Sequence, residues 1–514
     1  MISKKIIFLL LLSGNLFSIF SNEVSDKRFN LTGSVRFRSF SQSRDISIGR
    51  VTPNFPVIDF PSHYEYLAAQ NNALVQTELQ TRAKGQPSTL SKKRESNQFF
   101  DSRILLNLEF NTSQYFDGVV GVQVGDVVFG GRGLNPALKN NTDPYLIGPG
   151  SGGELGQGGG TNLQMNLMYL NFRLRQYNFY MRTGIQLFSS IQGRVLFSAC
   201  AGVFMNKDFK QERFSLEGGW IRARERTLAD IDSNGFNDRN NQNVNIFFYK
   251  LKVYRMTNLK NELYSYYSKD NDVTDTLREI GDLFWHGLFN EFTMKNYSII
   301  VHGVYNHGRV SAINPLKDSE NNLLYEKRNY YSISGALYDI QFTYFYNNNI
   351  NFNLIGVGTT GRPGVDKDGV PGAYKNGGYR TLAPGFAVSN IALDFTGGYA
   401  LFNATNMSGL NEIGGFVNVI AFGAFQLTFG YYQLYASRTP RLSVNRDFNS
   451  LFGNNSSPYI GDEYNLNFRW SILSDFQIIF RSGHFNAGRG YKAITDQSLG
   501  TYAREAFLSA EYRF

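Results

Sequence analysis

Hydrophobic and polar residues alternate most regularly at the C-terminal end of the chain. From Glu463 onward, Glu463, Asn465, Asn467, Arg469 and Ser471 share one parity, and Tyr464, Leu466, Phe468, Trp470 and Ile472 share the other. A strand sends successive side chains to opposite faces, so this run predicts a strand with one polar and one apolar face. Ser474-Asp475 predicts a tight turn, and the next run sets Gln477, Arg481 and Gly483 against Phe476, Ile478 and Phe480. A third run closes the chain, with Ser509, Glu511 and Arg513 opposite Leu508, Ala510, Tyr512 and the terminal Phe514.

The same period recurs upstream. Thr32, Ser34, Arg36 and Arg38 oppose Leu31, Gly33, Val35 and Phe37 in a strand over 30–42, and Arg103, Asn107 and Glu109 oppose Ile104, Leu106, Leu108 and Phe110 in one over 100–111. Further strands are expected over 118–128, from Tyr169 and from Tyr180, and over 195–205, 214–225, 244–256, 262–269, 285–295, 297–310, 331–346, 351–360, 413–421 and 425–438. With the three terminal strands they number about eighteen. In the 214–225 run Arg222 and Arg224 share parity with Trp220, so a bulge near Gly218-Gly219 is expected to restore the register. The spacing is not a strict repeat, which argues against solenoids and propellers. Two long segments interrupt the pattern, 44–98 and 361–411. The first holds a candidate helix from Tyr64 to Ala83, which either enters the barrel as a plug or stays in a surface loop.

Many strands with apolar faces ending on an aromatic residue fit a transmembrane antiparallel barrel, whose apolar face meets lipid. Composition narrows the choice. The chain has 514 residues with 31 Tyr, 44 Phe and 51 Gly but only 13 Pro, a profile of strands, aromatic girdles and Gly-rich loops. Beyond the N-terminus no apolar run approaches the ~18 residues of a membrane helix. A membrane protein without such helices must close its sheet, because lipid offers no partner to an unpaired backbone group. Residues 1–21, with Lys4 and Lys5 ahead of an apolar run and small residues after it, have the form of a secretory signal peptide. Residues 22–514 show no composition break and are expected to be one barrel domain, with 44–98 and 361–411 as long external loops. The lone cysteine, Cys200, has no partner for an internal disulfide.

Net charge is +9, and the basic residues are spread through strands rather than gathered in an arm, which argues against a nucleic-acid tail. An arginine facing lipid at mid-bilayer costs about 2–4 kcal/mol, so strand arginines should face the lumen. The candidate pore-lining residues are Arg36, Arg38, Arg103, Arg173, Arg182, Lys250, Lys252, Glu463, Arg469, Arg481, Glu511 and Arg513, with Glu109 and Asp339 as further acids. An excess of positive charge would favour anions; the competing reading is a ladder of ion pairs that stiffens the wall. Asp230, Asp232, Asn234 and Asp238, with Gly235 at the turn, match the first nine positions of a calcium loop, although Asn241 stands where a bidentate Glu is usual. Weak calcium binding and a solvated polar turn both fit. No other cofactor is implied. The five His show no spacing to a serine or acid that suggests nucleophilic catalysis, so no enzyme activity is expected.

Several stretches resemble the alginate-export-type porins of bacterial outer membranes. These are GDEYNLNFRW from Gly461, the Ser474-Asp475 turn, FQIIFRSGHFNAG from Phe476, the terminal AEYRF, the Arg36-x-Arg38 strand and LIGVGTTGRPG from Leu354. The family's Gly-Arg-Gln signature is met only as Gly184-Ile185-Gln186. The resemblance implies a monomeric eighteen-strand barrel set in outer-membrane lipid, delivered by the barrel-assembly machinery through its last strand, that passes anionic polysaccharide or smaller anions. The alternative is a barrel that displays its long loops as an adhesin or receptor.

Overall fold

The alternating runs are strands, each paired antiparallel with the next. In the computed structural model they are β1 (Phe29–Arg44), β2 (Glu95–Asn111), β3 (Phe116–Phe129), β4 (Leu163–Leu174), β5 (Phe179–Ser189), β6 (Phe197–Phe209), β7 (Phe214–Arg224), β8 (Val244–Met256), β9 (Leu259–Asp270), β10 (Ile280–Thr293), β11 (Tyr297–Lys317), β12 (Leu323–Phe345), β13 (Ile350–Thr359), β14 (Lys375–Asn376), β15 (Leu410–Ala421), β16 (Phe425–Ala436), β17 (Tyr459–Ser471), β18 (Phe476–Ala487) and β19 (Tyr502–Arg513). The structure describes residues 29–44, 95–111, 113–129, 163–224, 244–256, 258–270, 280–317, 323–361, 375–376, 378–379, 388–390, 409–437, 457–490 and 502–514. The expected signal peptide and the candidate helix at 64–83 lie outside them.

β14 is a two-residue piece of a connection, lying parallel to β12, so β13 pairs directly with β15 and eighteen antiparallel strands make the wall. β19 returns to β1, from Ser34 opposite Arg513 to Arg44 opposite Ala503, and Gly33 and Phe514 exchange both backbone hydrogen bonds. The sheet therefore closes on itself and leaves no edge of unpaired N–H and C=O groups, as lipid requires.

The outer face is apolar. On β11 the outward positions run Tyr297, Ile299, Val301, Gly303 and Tyr305, and on β12 they run Tyr344, Phe342, Ile340 and Tyr338, a band with tyrosines at both ends. Nine residues from Tyr297 to Tyr305 span about 26 Å of strand, or about 20 Å once a tilt of ~40° is allowed, close to the ~25 Å band of outer-membrane barrels. The inner face is not uniformly polar. Phe188, Phe248, Trp285, Phe289, Val304 and Leu337 point inward and are buried, because segments from one end of the barrel fold in and cover them.

Two local expectations fail. The register break lies between Arg222 and Arg224, not at Gly218-Gly219, so Arg222 stays on the outer face beside Trp220, its guanidinium 5.4 Å from that ring. Val195 and Leu196 belong to no strand: they are packed in the interior, and β6 starts at Phe197.

Candidate functional site

Two connections at the same end of the barrel turn inward and meet the wall. The first joins β5 to β6. Ser190 closes it locally, its Oγ accepting from the N–H of Val195 at 2.9 Å and of Leu196 at 3.0 Å. Val195 and Leu196 then pack into the apolar interior, and this anchoring aims Arg194 across the barrel. Its Nε and Nη2 donate to Asp339 Oδ2 on β12 at 2.9 and 2.6 Å, with Arg194 and Asp339 only 4% and 0% exposed. Gln341 Nε2 donates to Asp339 Oδ1 at 3.0 Å. Gln192 Oε1 lies 3.4 Å from His302 Nδ1 on β11, and the Tyr264 hydroxyl lies 2.7 Å from His302 Nε2. β12 is well round the ring from β5 and β6, so these contacts bridge the interior.

The second connection runs from β13 to β15. It begins against β12, where Thr360 Oγ1 accepts from the Ala336 N–H at 2.8 Å and β14 pairs with Ser332 and Ile333. Tyr379 is fully buried and donates to the Arg194 carbonyl at 3.1 Å, tying the two connections together. Burial raises its pKa and keeps the hydroxyl a donor, against the smaller opposing effect of Arg194. Farther along, the Asn390 N–H donates to Glu463 Oε1 on β17 at 2.8 Å, and its Nδ2 donates to Asn467 Oδ1 and to the Ser482 carbonyl on β18. The connection thus touches the inner wall at β12 and again at β17 and β18.

The charged residues singled out from the sequence fall on the inner face in two groups. One crosses the barrel closure. Arg36 stands opposite Glu511 on one side and Arg103 on the other, with Arg38, Arg513, Arg481 and Arg469 on the same face of neighbouring strands. Glu511 accepts from Arg513 Nε at 3.1 Å and from Gln477 Nε2 at 2.9 Å, and Arg481 lies 5.7 Å from the Phe507 ring. The other group is held by ion pairs, hydrogen bonds and ring contacts along β3 to β8. Arg173 meets Asp117 at 2.6 Å, Arg182 donates to Asn171 at 2.8 Å and sits 4.2 Å over the Tyr169 ring, and Lys252 and Lys250 share Glu217 at 2.5 and 3.9 Å. Glu463 belongs to neither group; it is buried against the second connection.

Asp230, Asp232, Asn234 and Asp238 lie outside the described residues, and among the described residues no group of three or more His, Cys, Asp or Glu side chains is placed to hold a metal. The sequence pattern did not single out Arg194, Tyr379 or Asn390, because each sits between strands where no periodicity operates. Asp339 and Glu463 were found, since their strands alternate.

No protein-family model matches the chain, and no curated protein matches it. In fold it is similar to the solved structures of the outer membrane protein OprD from Pseudomonas aeruginosa, at 11% identity over 94% of this chain and 93% of that one with a TM-score of 0.46, and of OccAB1 from Acinetobacter baumannii, at 13% over 94% and 97% with a TM-score of 0.47. OccAB4 of Acinetobacter baumannii is similar at 10% identity over 95% and 99%, with a TM-score of 0.48.

Proposed function

We propose that this chain is a porin-like channel of the bacterial outer membrane that passes anionic solutes along a basic strip on its inner wall. The closed ring, with its apolar outer band between tyrosine girdles, supports the location, since only a lipid-facing surface gains from such a band. The observation that carries the function is the run Arg469, Arg481, Arg513, Arg36, Arg38 and Arg103 on one continuous stretch of inner wall across the closure. In a narrow aqueous path beside low-dielectric protein, fixed positive charge lowers the barrier for anions and raises it for cations. The inward connections take up part of the lumen, the second of them reaching β17 and β18 next to Arg481, and so narrow the path that a solute follows along this strip.

Anionic polysaccharide is the finer reading of the substrate, since a strip of guanidinium groups along successive strands suits a chain with repeating carboxylates. The test is the reversal potential of the purified barrel in a planar bilayer under a salt gradient. The native channel is expected to prefer anions, and Arg38→Glu to shift the reversal potential toward cations without altering heat-modifiable folding. Conduction with no ion preference, unchanged by the substitution, rules out the anion channel. A barrel that passes no current leaves the display of external loops as its role. Block by oligouronates, absent with neutral oligosaccharides of equal length, separates a polysaccharide route from a route for small anions.

A further inference from the structure

Three of the five histidines lie on β10 and β11. His302 points inward, but His286 and His307 point outward, on the face that carries Leu288, Val301 and Tyr305. In the register His286 stands opposite Tyr305 and His307 opposite Phe284, which makes the two histidines diagonal neighbours on the outer surface. Such positions bring long and aromatic side chains within reach of each other. The Nε2 atoms of His286 and His307 are 3.2 Å apart. Both rings are held from behind: Ser265 Oγ on β9 lies 2.9 Å from His286 Nδ1, and the His307 ring stacks on Phe284 at 5.1 Å with planes 13° apart. The pair sits level with Tyr305, or just beyond it, at the end of the apolar band nearer the long connections, and His286 is exposed there.

Two ring nitrogens at this separation match two ligands of one cation. A tetrahedral shell with metal–nitrogen bonds of ~2.0 Å places neighbouring nitrogens about 3.3 Å apart. Imidazole pairs select borderline transition ions over calcium or magnesium, which want oxygen. We propose that His286 and His307 bind a divalent transition-metal ion of the zinc, nickel or copper class through their Nε2 atoms, with water completing the shell. The ion takes the place of the proton that one Nε2 otherwise donates to the other, and that proton moves to the Nδ1 of the same ring. On His286 the resulting Nδ1–H donates to Ser265 Oγ, which fixes the tautomer and the ring orientation. Ser265 is thus a positioning residue. With two protein ligands the site stays open, reachable from the interface at the rim of the lipid rather than from the lumen.

The test uses the full-length barrel in detergent with His63→Gln and His484→Gln in the background, so that His286, His302 and His307 remain. Zinc titrated by calorimetry is expected to bind one ion per chain, and copper to give an electron paramagnetic resonance spectrum with two equatorial nitrogens. Either His286→Gln or His307→Gln should abolish the two-nitrogen spectrum, and Ser265→Ala should weaken zinc at least tenfold while the two-nitrogen signature persists. If one of the two variants fails to show heat-modifiable folding, the other carries the test, since each replaces one of the two ligands. The proposal is overturned if the parent barrel binds neither ion, which leaves a plain imidazole hydrogen bond, or if zinc binding survives both substitutions.

Discussion

At the scale of single residues, the buried Arg194–Asp339 pair decides whether the first inward connection stays down. Two charges removed from water gain only if each has its partner, and removing one leaves the other uncompensated. Arg194→Ala is therefore expected to lower stability by about 3–5 kcal/mol, and Asp339→Asn by a similar amount. The double change Arg194→Leu with Asp339→Leu should recover much of the loss, because neither charge then remains buried. Urea-unfolding midpoints read from gel mobility check this; equal losses for the double and single variants would show that shape, not charge, holds the connection. The Lys252–Glu217 pair gives the contrast. Lys252 is 23% exposed, and Glu217, though buried, keeps Lys250 at 3.9 Å if Lys252 is replaced, so the loss there should be smaller.

At the scale of elements, β14 and the residues after it form a strap on β12. The backbone of Gly378 lies so close that a Cβ on Gly335 would come within 2.6 Å of its carbonyl. Gly335→Val should push the strap off the wall and raise single-channel conductance while the eighteen strands stay paired. Gly303 on β11 faces outward, and a Cβ added there would meet nothing within 4 Å, so Gly303→Val is the matched control and should leave conductance unchanged. Equal conductance in both variants would mean that the strap does not narrow the path. The strands carrying these devices were readable from alternation, since burial on one face and lipid on the other impose a period of two. The strap was not readable: its lone requirement, a residue without a side chain beneath it, looks like any other glycine in a strand.

For the whole molecule, the connections sort by length. Those from β2 to β3, β4 to β5, β6 to β7, β8 to β9, β10 to β11, β12 to β13, β15 to β16 and β17 to β18 are short and lie at the end where the chain terminates, and the longer connections all lie at the other end. Short turns belong to the periplasm and long loops to the outside. A cysteine at exposed Pro458 should therefore react with an impermeant maleimide on intact cells, while one at fully exposed Phe422 should react only after lysis. The native Cys200 is buried and adds little background. Labelling of both on intact cells would contradict this orientation.

Alternation alone led to about eighteen strands, to an apolar face on each, and to the expectation that Arg36, Arg38, Arg103, Arg173, Arg182, Lys250, Lys252, Arg469, Arg481 and Arg513 face inward, because an outer face in lipid tolerates charge poorly wherever it sits along the chain. Closure of the ring decided the rest. Only when β19 met β1 did arginines from opposite ends of the sequence come to share one wall. Only with an enclosed interior could Arg194 and Tyr379, in stretches without any period, find Asp339 and each other. A strand pattern is set by what each residue faces locally, whereas these contacts join residues far apart in the chain whose meeting is fixed by the circumference of the barrel.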